Sequence, residues 1–296
     1  MTATLLDGKK LSAEIREELK AAVQKLKERG VVPGLAGILV GEDPGSATYI
    51  GLKGKACEEI GIKEMMCRLP ENASEKDVID TVKRLNEDSQ VHGIFIQLPM
   101  PKHLAASEAK ALAAVLPGKD VDGFHAMNVG RAWLGQTAFI PAVALAIQEM
   151  LLRSKYDLQY QNVVIVNVDN MVGKPLASIL VQNIEQARAN VTLCYPQTPN
   201  LSEYTRHADV LVVSVNQPKF ITADMVKDSA IVIDFGGNWV EDPITKKRKT
   251  VGDVDFEAVK EKASLITPVP GGVGPMLITM LLFNTIKSAK LAAGFE

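Results

Sequence analysis

Apolar residues in the N-terminal half of the chain recur with two different periods. Short apolar runs alternate with stretches of helical periodicity, which predicts strands connected by helices and therefore a parallel sheet. Ser74 and Asp77 form a capping pattern that predicts the start of one helix. The predicted elements are a helix through Leu11, Ile15, Leu19, Val23 and Leu26, a strand at 35–40, helices at 46–60 and from Ser74, and a strand at 93–97.

The C-terminal half repeats this alternation with a second set of elements. Its first two strands, with a helix between them, have the spacing of a Rossmann-like βαβ unit. The predicted elements are a helix at 141–153, strands at 163–168, 191–195, 210–215, 231–235 and 265–267, and a last helix at 277–291. We therefore predict an α/β protein of two domains with a cleft between them. Residues 1–140 plus 277–296 form an N-terminal parallel α/β domain, and residues 141–276 form a Rossmann-like C-terminal domain.

Composition narrows the class of protein. The chain has 296 residues, of which 47% are hydrophobic and 23% charged, as in ordinary globular proteins. Its net charge of -2 gives no electrostatic reason to expect a nucleic acid or an anionic membrane as partner. The three cysteines have neither the spacing of a metal site nor the even number of a disulfide framework. We expect a cytoplasmic protein without a bound metal.

One uncharged stretch, residues 263–286, is long enough to span a bilayer. Its segment 268–275 holds three prolines and three glycines, which would break the backbone hydrogen bonds that a membrane-spanning helix needs. We therefore expect a buried strand, a loop and a buried helix in this stretch.

Polar residues in the N-terminal half form a candidate site. Tyr49 and Lys53 are four residues apart, so on a helix they share one face, and Ser46 lies one turn earlier. Gln97 ends an otherwise apolar strand, and ligands bind at the carboxyl ends of strands in parallel sheets. Asp122 lies in a segment, Lys119-Asp120-Val121-Asp122-Gly123, that by itself is more typical of a turn.

Two glycines interrupt the predicted helix that carries Tyr49 and Lys53. Gly51 and Gly54 each cost about 1 kcal/mol relative to alanine in a helix interior. That cost suggests that another group approaches the helix backbone closely. A solvated lysine beside a packed tyrosine is the alternative interpretation of the pair.

Four segments of the chain, in this order and spacing, carry a specific resemblance. The chain resembles the methylenetetrahydrofolate dehydrogenase/methenyltetrahydrofolate cyclohydrolase family, the bifunctional FolD-type enzymes. The resemblance covers nearly the whole chain, and the Pro-Gly-Gly-Val-Gly-Pro-Met run is its most specific part. The segments are Tyr49-x-x-x-Lys53, Val91-His92-Gly93-Ile94-Phe95-Ile96-Gln97-Leu98-Pro99, Lys119-Asp120-Val121-Asp122-Gly123 and Thr267-Pro268-Val269-Pro270-Gly271-Gly272-Val273-Gly274-Pro275-Met276.

The resemblance implies one-carbon chemistry on a tetrahydrofolate substrate in a homodimer. It implies that Lys53 is the central catalytic group, that Gln97 holds it and helps to position water, and that Tyr49 lies against the folate. Asp122 would hydrogen-bond the pterin ring, since a carboxylate accepts two parallel N–H bonds. Ser46 and the glycine-rich loop would complete the substrate site, with the loop permitting close backbone approach. The loop residues are Pro270, Gly271, Gly272 and Val273.

The cofactor loop departs from the family pattern Gly-Arg-Ser-x-x-Val-Gly-x-Pro. Val168 and Asp169 stand where the family has the Arg and Ser that engage the 2′-phosphate of NADP, so a bidentate cation is lost and a carboxylate is added. Further departures lie at 141–144, 195–198 and 214–218. The candidate cofactor residues are Asn167, Val168, Asp169, Gly173 and Gly237.

Three interpretations of these departures stay open. The favoured one is loss of the redox half, which leaves a cyclohydrolase that converts 5,10-methenyltetrahydrofolate to 10-formyltetrahydrofolate. The alternative is the full bifunctional enzyme. It would use NADP, with Lys174 or another residue on the phosphate, or NAD, with Asp169 accepting from the ribose hydroxyls. A folate-binding protein without catalytic activity is a third interpretation, but it gives no reason to keep Lys53 and Gln97 together.

Overall fold

The computed structural model describes residues 2–41, 44–185, 187–241 and 248–295, and for residues 44–49 the backbone alone. The chain divides into two compact units. The Rossmann-like unit consists of Met1–Ser12 and Val143–Leu277, and the lysine unit consists of Ala13–Ala142 and Ile278–Glu296.

The lysine unit is built on a three-stranded parallel sheet in the order β3-β2-β4. All seven residues of the central strand β2 are buried, as expected for an apolar strand covered on both faces. The strands are β2 (Gly34–Val40), β3 (Lys63–Leu69) and β4 (Gly93–Ile96). The helices are α1 (Gly8–Glu28), α2 (Pro44–Ile60), α3 (Glu75–Glu87), α4 (Glu108–Ala114), α5 (Ala126–Trp133) and α10 (Val273–Ala292), with a 3-10 helix at Lys102–Ser107.

The Rossmann-like unit is built on a six-stranded parallel sheet in the order β1-β11-β8-β7-β5-β6. Its strands are β1 (Thr4–Leu5), β5 (Asn162–Val166), β6 (Asn190–Cys194), β7 (Val210–Val213), β8 (Ile231–Asp234) and β11 (Leu265–Ile266). A separate antiparallel pair consists of β9 (Asn238–Glu241) and β10 (Arg248–Val251). The helices are α6 (Ala142–Arg153), α7 (Gly173–Leu180), α8 (Leu201–Thr205) and α9 (Phe256–Val259), with a 3-10 helix at Ala223–Met225.

The predicted α/β class with two domains is confirmed, and one helix start is confirmed in detail. The Ser74 side chain accepts from the backbone N–H of Asp77, and the Asp77 side chain accepts from the backbone N–H of Ser74. This capping box starts α3, whose buried face carries Val78, Val82 and Leu85.

Some elements escaped the sequence pattern. The edge strand β3 was missed because its residues, Lys-Glu-Met-Met-Cys-Arg-Leu, mix polar and apolar side chains on a half-exposed strand. Helix α10 begins at Val273, four residues before the predicted start. Pro275 is compatible with that start because the first turn of a helix needs no intrahelical N–H donor.

The division into units differs from the predicted one near the N-terminus. Residues up to Ser12 belong to the Rossmann-like unit, because β1 pairs with β11 through Thr4 and Leu5. Residues 263–286 form β11, a loop and part of α10. Among the helices that the structure describes, none combines the length and the hydropathy of a membrane span.

Helix α10 holds the segment around Asp122 through one buried amide. The Nδ2 atom of Asn284 donates to the carbonyl oxygens of Val121 and Ile140 at 2.7 Å and 2.9 Å. The Ser288 hydroxyl donates to the carbonyl oxygen of Gly118 at 2.7 Å. Both side chains are buried, and Val121 and Ile140 are buried as well, so Asn284 supplies the donor to carbonyl groups in a buried setting.

We expect Asn284→Ala to lower the free energy of unfolding by about 2–4 kcal/mol, because two buried carbonyl groups lose their donor. Chemical denaturation measures the change. The matched control is Leu291→Ala on the exposed side of the same helix, where Leu291 is 49% exposed. An N284A protein as stable as the L291A protein would contradict this assignment.

Candidate active site

The site in the lysine unit is organised around the amino group of Lys53 on α2. Lys53 Nζ donates to Gln97 Oε1 at 3.2 Å and lies 3.9 Å from the centroid of the Phe95 ring. Gln97 Nε2 donates to the carbonyl oxygen of Leu98 at 2.9 Å, which turns the amide oxygen toward the lysine. Phe95 and Gln97 are two residues apart along an extended segment, so they present their side chains to the same face of the sheet. The predicted pairing of Lys53 with Gln97 is therefore present in the structure.

Asp122 is the charged group that raises the pKa of Lys53 most. The backbone N–H of Ile96, on the strand that leads to Gln97, donates to it. Burial, with a smaller contribution from Asp120, raises the pKa of Asp122 to about 7, while Lys53 opposes that rise. Near neutral pH the group therefore exists in both protonation states.

The turn that carries Asp122 is held by a second carboxylate, Asp120. Asp120 Oδ1 accepts from the backbone N–H of Gly123 at 3.1 Å, and Oδ2 accepts from His125 N at 2.8 Å and from Asn128 Nδ2 at 2.9 Å. The Ile94 N–H donates to the carbonyl oxygen of Lys119 at 2.7 Å, which joins the turn to β4. The segment is therefore a turn, as its sequence predicts, and this turn also places Asp122 beside the end of β4.

Burial and charge act on Lys53 in opposite directions. Burial lowers the pKa of Lys53, whereas the nearby groups Asp122, Cys57 and Glu64 raise it. Because burial is the larger effect, the neutral amine becomes accessible at a lower pH than for a lysine in water. A neutral amine beside an amide oxygen can accept a proton from water, as a general base must.

Glu64 is a neighbour of the site that the sequence analysis missed. It lies on β3, burial raises its pKa, and its Oε1 atom is buried without a hydrogen-bond partner in the described structure. A β-carbon at Gly54 would stand 2.7 Å from Glu64 Oε2. The close approach inferred from the helix glycines is therefore made at Gly54 by this side chain. Among the described residues, none would stand within 4 Å of a β-carbon at Gly51, so a close approach there stays a prediction.

Cys57 lies one helical turn after Lys53 and is buried. Burial, with the charge of Glu64, raises the pKa of the Cys57 thiol to about 12. The thiol therefore stays protonated at neutral pH and acts as a small apolar group beside the lysine.

For two predicted substrate residues the structure describes the backbone alone. Ser46 and Tyr49 lie on the backbone of α2, but their side chains are outside the described part of the structure. Their assignment to the substrate site stays a prediction.

The glycine-rich loop 270–273 belongs to the Rossmann-like unit and packs on the chain's own backbone. The Gly8 N–H donates to the carbonyl oxygen of Gly271 at 2.9 Å. A β-carbon at Gly8 would stand 1.7 Å from the carbonyl oxygen of Gly272, and one at Gly272 would stand 2.7 Å from that of Pro268. The glycines at these positions thus permit backbone contact with residues of this chain. Pro270 and Val273 flank the loop, and their role toward a substrate stays a prediction.

The candidate cofactor loop connects β5 to α7. Asn167 is buried, and its Nδ2 atom donates to the carbonyl oxygen of Ser214 at 2.9 Å, which joins the loops that follow β5 and β7. Strand β5 lies between β6 and β7 in the sheet, so these loops flank the position where the strand order reverses. Ligands bind at this position in open α/β sheets. A β-carbon at Gly173 would stand 2.1 Å from the carbonyl oxygen of Asn167, so the tight loop needs glycine there.

The other predicted cofactor residues differ in their surroundings. Val168 is half-buried, and none of the residues that the structure describes would stand within 4 Å of a β-carbon at Gly237, in the loop after β8. The Asp169 carboxylate faces its own loop: Oδ1 accepts from the N–H groups of Met171 and Val172 at 2.9 Å and 2.7 Å. These bonds hold the carboxylate on its own loop, and the contact of Asp169 with the ribose hydroxyls of NAD stays a prediction.

A buried carboxylate that the sequence analysis missed holds the loop after β7. Asp253 Oδ2 accepts from the N–H groups of Val215 and Asn216 at 2.6 Å and 3.1 Å, and its Oδ1 accepts from Gln217 N at 2.8 Å. Asp234, whose pKa burial raises to about 6, accepts in turn from the N–H of Asp253 at 3.0 Å. The Gly252-Asp253 pair after a strand was the available signal, since turn carboxylates commonly bind backbone amides.

Comparison with known protein families finds two matches along the chain. Residues 6–122 match the model described as tetrahydrofolate dehydrogenase/cyclohydrolase, catalytic domain. Residues 141–293 match the model described as tetrahydrofolate dehydrogenase/cyclohydrolase, NAD(P)-binding domain.

Similar proteins cover the chain nearly from end to end. The bifunctional protein FolD of Syntrophus aciditrophicus (strain SB) is 48% identical over 294 residues, which is 99% of this chain and 100% of that protein. The crystal structure of the bifunctional enzyme FolD from Campylobacter jejuni has a TM-score of 0.91 and 46% identity, covering 98% of this chain and 99% of that one. The Trypanosoma brucei enzyme, complexed with NADP cofactor and inhibitor, has a TM-score of 0.90 and 33% identity, covering 99% of each chain.

The raised pKa of Asp122 generates a prediction about stability. The native state holds the Asp122 proton up to about pH 7, whereas the unfolded chain releases it near the ordinary value of 3.8. Between these values the unfolded state binds fewer protons than the native state, so the contribution of Asp122 to stability falls as the pH rises toward 7. Asn in Asp122→Asn does not titrate.

We therefore expect the stability of D122N relative to the natural protein to increase across the window from pH 4 to about pH 7 and to stay level above it. Chemical denaturation of both proteins at a series of pH values measures this difference. A difference that is independent of pH across the window would contradict the raised pKa of Asp122 in the native state.

Proposed function

Because the chain belongs to the tetrahydrofolate dehydrogenase/cyclohydrolase family, we propose that it is a bifunctional enzyme of tetrahydrofolate one-carbon metabolism. It hydrolyses 5,10-methenyltetrahydrofolate to 10-formyltetrahydrofolate, and it oxidises 5,10-methylenetetrahydrofolate with a nicotinamide nucleotide. The observation that carries the proposal is the half-buried Lys53 amino group, 3.2 Å from Gln97 Oε1 and within the electrostatic reach of Asp122.

The hydrolytic step needs a water molecule at an electrophilic carbon and a group that takes its proton. The bridging carbon of the methenyl substrate carries the positive charge of an amidinium-like system, so water adds there, one C–N bond opens, and a proton is released. Lys53, with its lowered pKa, accepts a proton from the attacking water, and Gln97 orients the amine. A cationic substrate beside Lys53 disfavours the ammonium further, since like charges repel.

Asp122 is placed to recognise the ring system of the substrate. A carboxylate accepts two parallel N–H bonds from a 2-aminopyrimidinone edge. Its pKa of about 7 means that bound N–H donors, which favour the ionised form, complete its deprotonation. Tyr49 and Ser46 are proposed to line the same substrate on α2, and the 270–273 loop to contact it as the family resemblance implies.

The redox half is supported by the Rossmann-like unit. The match of residues 141–293 to an NAD(P)-binding domain supports the full bifunctional enzyme over the loss of the redox half that the cofactor loop had suggested. A bound nicotinamide nucleotide supplies the hydride acceptor for oxidation of the methylene group. Asn167 and Gly173 shape the loop that would hold it, at the point where the strand order reverses.

The test is a paired assay on one preparation, following methenyl-substrate hydrolysis and nicotinamide reduction. We expect both activities in the natural protein. Lys53→Met should lower the hydrolysis rate at least about 100-fold, because a positioned general base contributes about 10²–10⁴-fold.

Lys55→Met is the matched control, since Lys55 is exposed on the same helix two residues away. It should retain hydrolysis. Hydrolysis at the natural rate in K53M would refute the catalytic role of Lys53. Hydrolysis without nicotinamide reduction, with either NAD or NADP, would refute the redox half and favour a cyclohydrolase alone.

A further inference from the structure

We propose that this chain selects NAD over NADP and that Asp169 is the residue that determines the selection. The inference rests on the redox half of the proposed function and deepens it by naming the nucleotide. It depends on where the Asp169 carboxylate lies, on how firmly it is held, and on the cations available near it.

Asp169 occupies the position in the sheet where a dinucleotide binds. It follows β5 by three residues and precedes α7, so it stands at the carboxyl edge next to the reversal of strand order. The phosphates of dinucleotides lie at the N-terminus of the helix that follows this first strand. A negative charge at Asp169 is therefore close to the phosphates of any nucleotide bound there.

The carboxylate is fixed by hydrogen bonds to both of its oxygens. Oδ1 accepts from the N–H groups of Met171 and Val172, and Oδ2 accepts from Asn167 Nδ2 at 2.9 Å. Asn167 Oδ1 accepts from the N–H groups of Asp169 and Gly173 at 2.9 Å and 3.0 Å, which closes the network. Rotation of the exposed Asp169 side chain away from a phosphate would break these hydrogen bonds, which favours its present position.

Cations that could offset this charge are scarce in the surrounding loops. Among the described residues of the loops 167–172, 195–200 and 214–220, which follow β5, β6 and β7, Lys219 is the one cation. Its Nζ atom is paired with Asp255 Oδ1 at 3.2 Å. Lys174, on the first turn of α7, donates to Asn170 Oδ1 at 2.9 Å.

This balance of charges discriminates between the two nucleotides. The 2′-phosphate of NADP adds about two negative charges at neutral pH, and NADP sites normally offset them with an arginine. NAD has a neutral 2′-hydroxyl where NADP has the 2′-phosphate, so it needs no such cation. The fixed Asp169 carboxylate therefore weakens the binding of NADP more than that of NAD.

Titration calorimetry on the full-length protein tests the proposal by measuring Kd for NAD and for NADP. We expect NAD to bind at least tenfold more tightly. Asp169→Asn keeps an oxygen for the loop amides and removes the charge. It should therefore lower the ratio of the NADP Kd to the NAD Kd at least threefold, through tighter NADP binding. Asp169→Ser, whose hydroxyl can accept the same amides, is a second variant in case D169N folds poorly.

Asp228→Asn is the matched control for charge. Asp228 is an exposed aspartate that precedes β8, so it stands at the amino edge of the same parallel sheet, opposite to Asp169. D228N should leave the NAD to NADP ratio unchanged. Raising the salt concentration should narrow the ratio in the natural protein and have less effect in D169N, because salt screens exposed charges.

Equal or tighter binding of NADP by the natural protein would overturn the inference while leaving the bifunctional enzyme intact. So would a ratio that does not respond to either Asp169 variant. If neither nucleotide binds, the redox half of the proposed function fails as well, and the hydrolysis assay shows whether the cyclohydrolase half stands.

Discussion

The site depends on one lysine amino group that is partly withdrawn from water. Lys53 is half-buried and lies against the Phe95 ring and the Gln97 amide, so burial favours its neutral form, while Asp122 and Glu64 favour the ammonium. The two effects oppose each other at the same amino group, and because burial is the larger effect, the pKa of Lys53 is lowered. Such balanced groups are typical of catalytic sites, and this balance explains why a strand end that is otherwise apolar carries a glutamine.

Carboxylates that accept hydrogen bonds from backbone N–H groups hold loops in both units. Asp120 holds the turn that carries Asp122, and Asp253 and Asp234 hold the loops that follow β7 and β8, each through backbone N–H groups. The exposed Asp169 does this in the loop after β5, which lies at the edge of the sheet where we propose that the nucleotide binds. A carboxylate that serves as a structural cap in one loop thus becomes a determinant of ligand choice in another.

Much of the fold could be predicted because its signals are local. A few neighbouring residues suffice to predict these elements. The apolar runs predict β2, β4 and β5, and the capping box at Ser74 predicts the start of α3. The half-exposed strand β3 carries no such pattern, and its Glu64, which meets the lysine site, was missed with it. The departure at Asp169 is visible in the sequence, but its hydrogen bonds to the N–H groups of Met171 and Val172 are not, because which amides a loop carboxylate binds depends on the folded backbone. The roles of Tyr49 and Ser46 still rest on the resemblance.

The measurement that tests the account most directly is the pKa of Lys53 itself. Competitive acetylation at a series of pH values, read by mass spectrometry of the peptide that contains Lys53, reports the fraction of free amine, with the exposed Lys55 as an internal reference. The account predicts a pKa below the ordinary lysine value of 10.5, and a lower one still in D122N, which loses the largest favourable charge. A pKa at or above 10.5 in the natural protein, or one that D122N leaves unchanged, would contradict the idea that a buried amine balanced by Asp122 is the centre of this site.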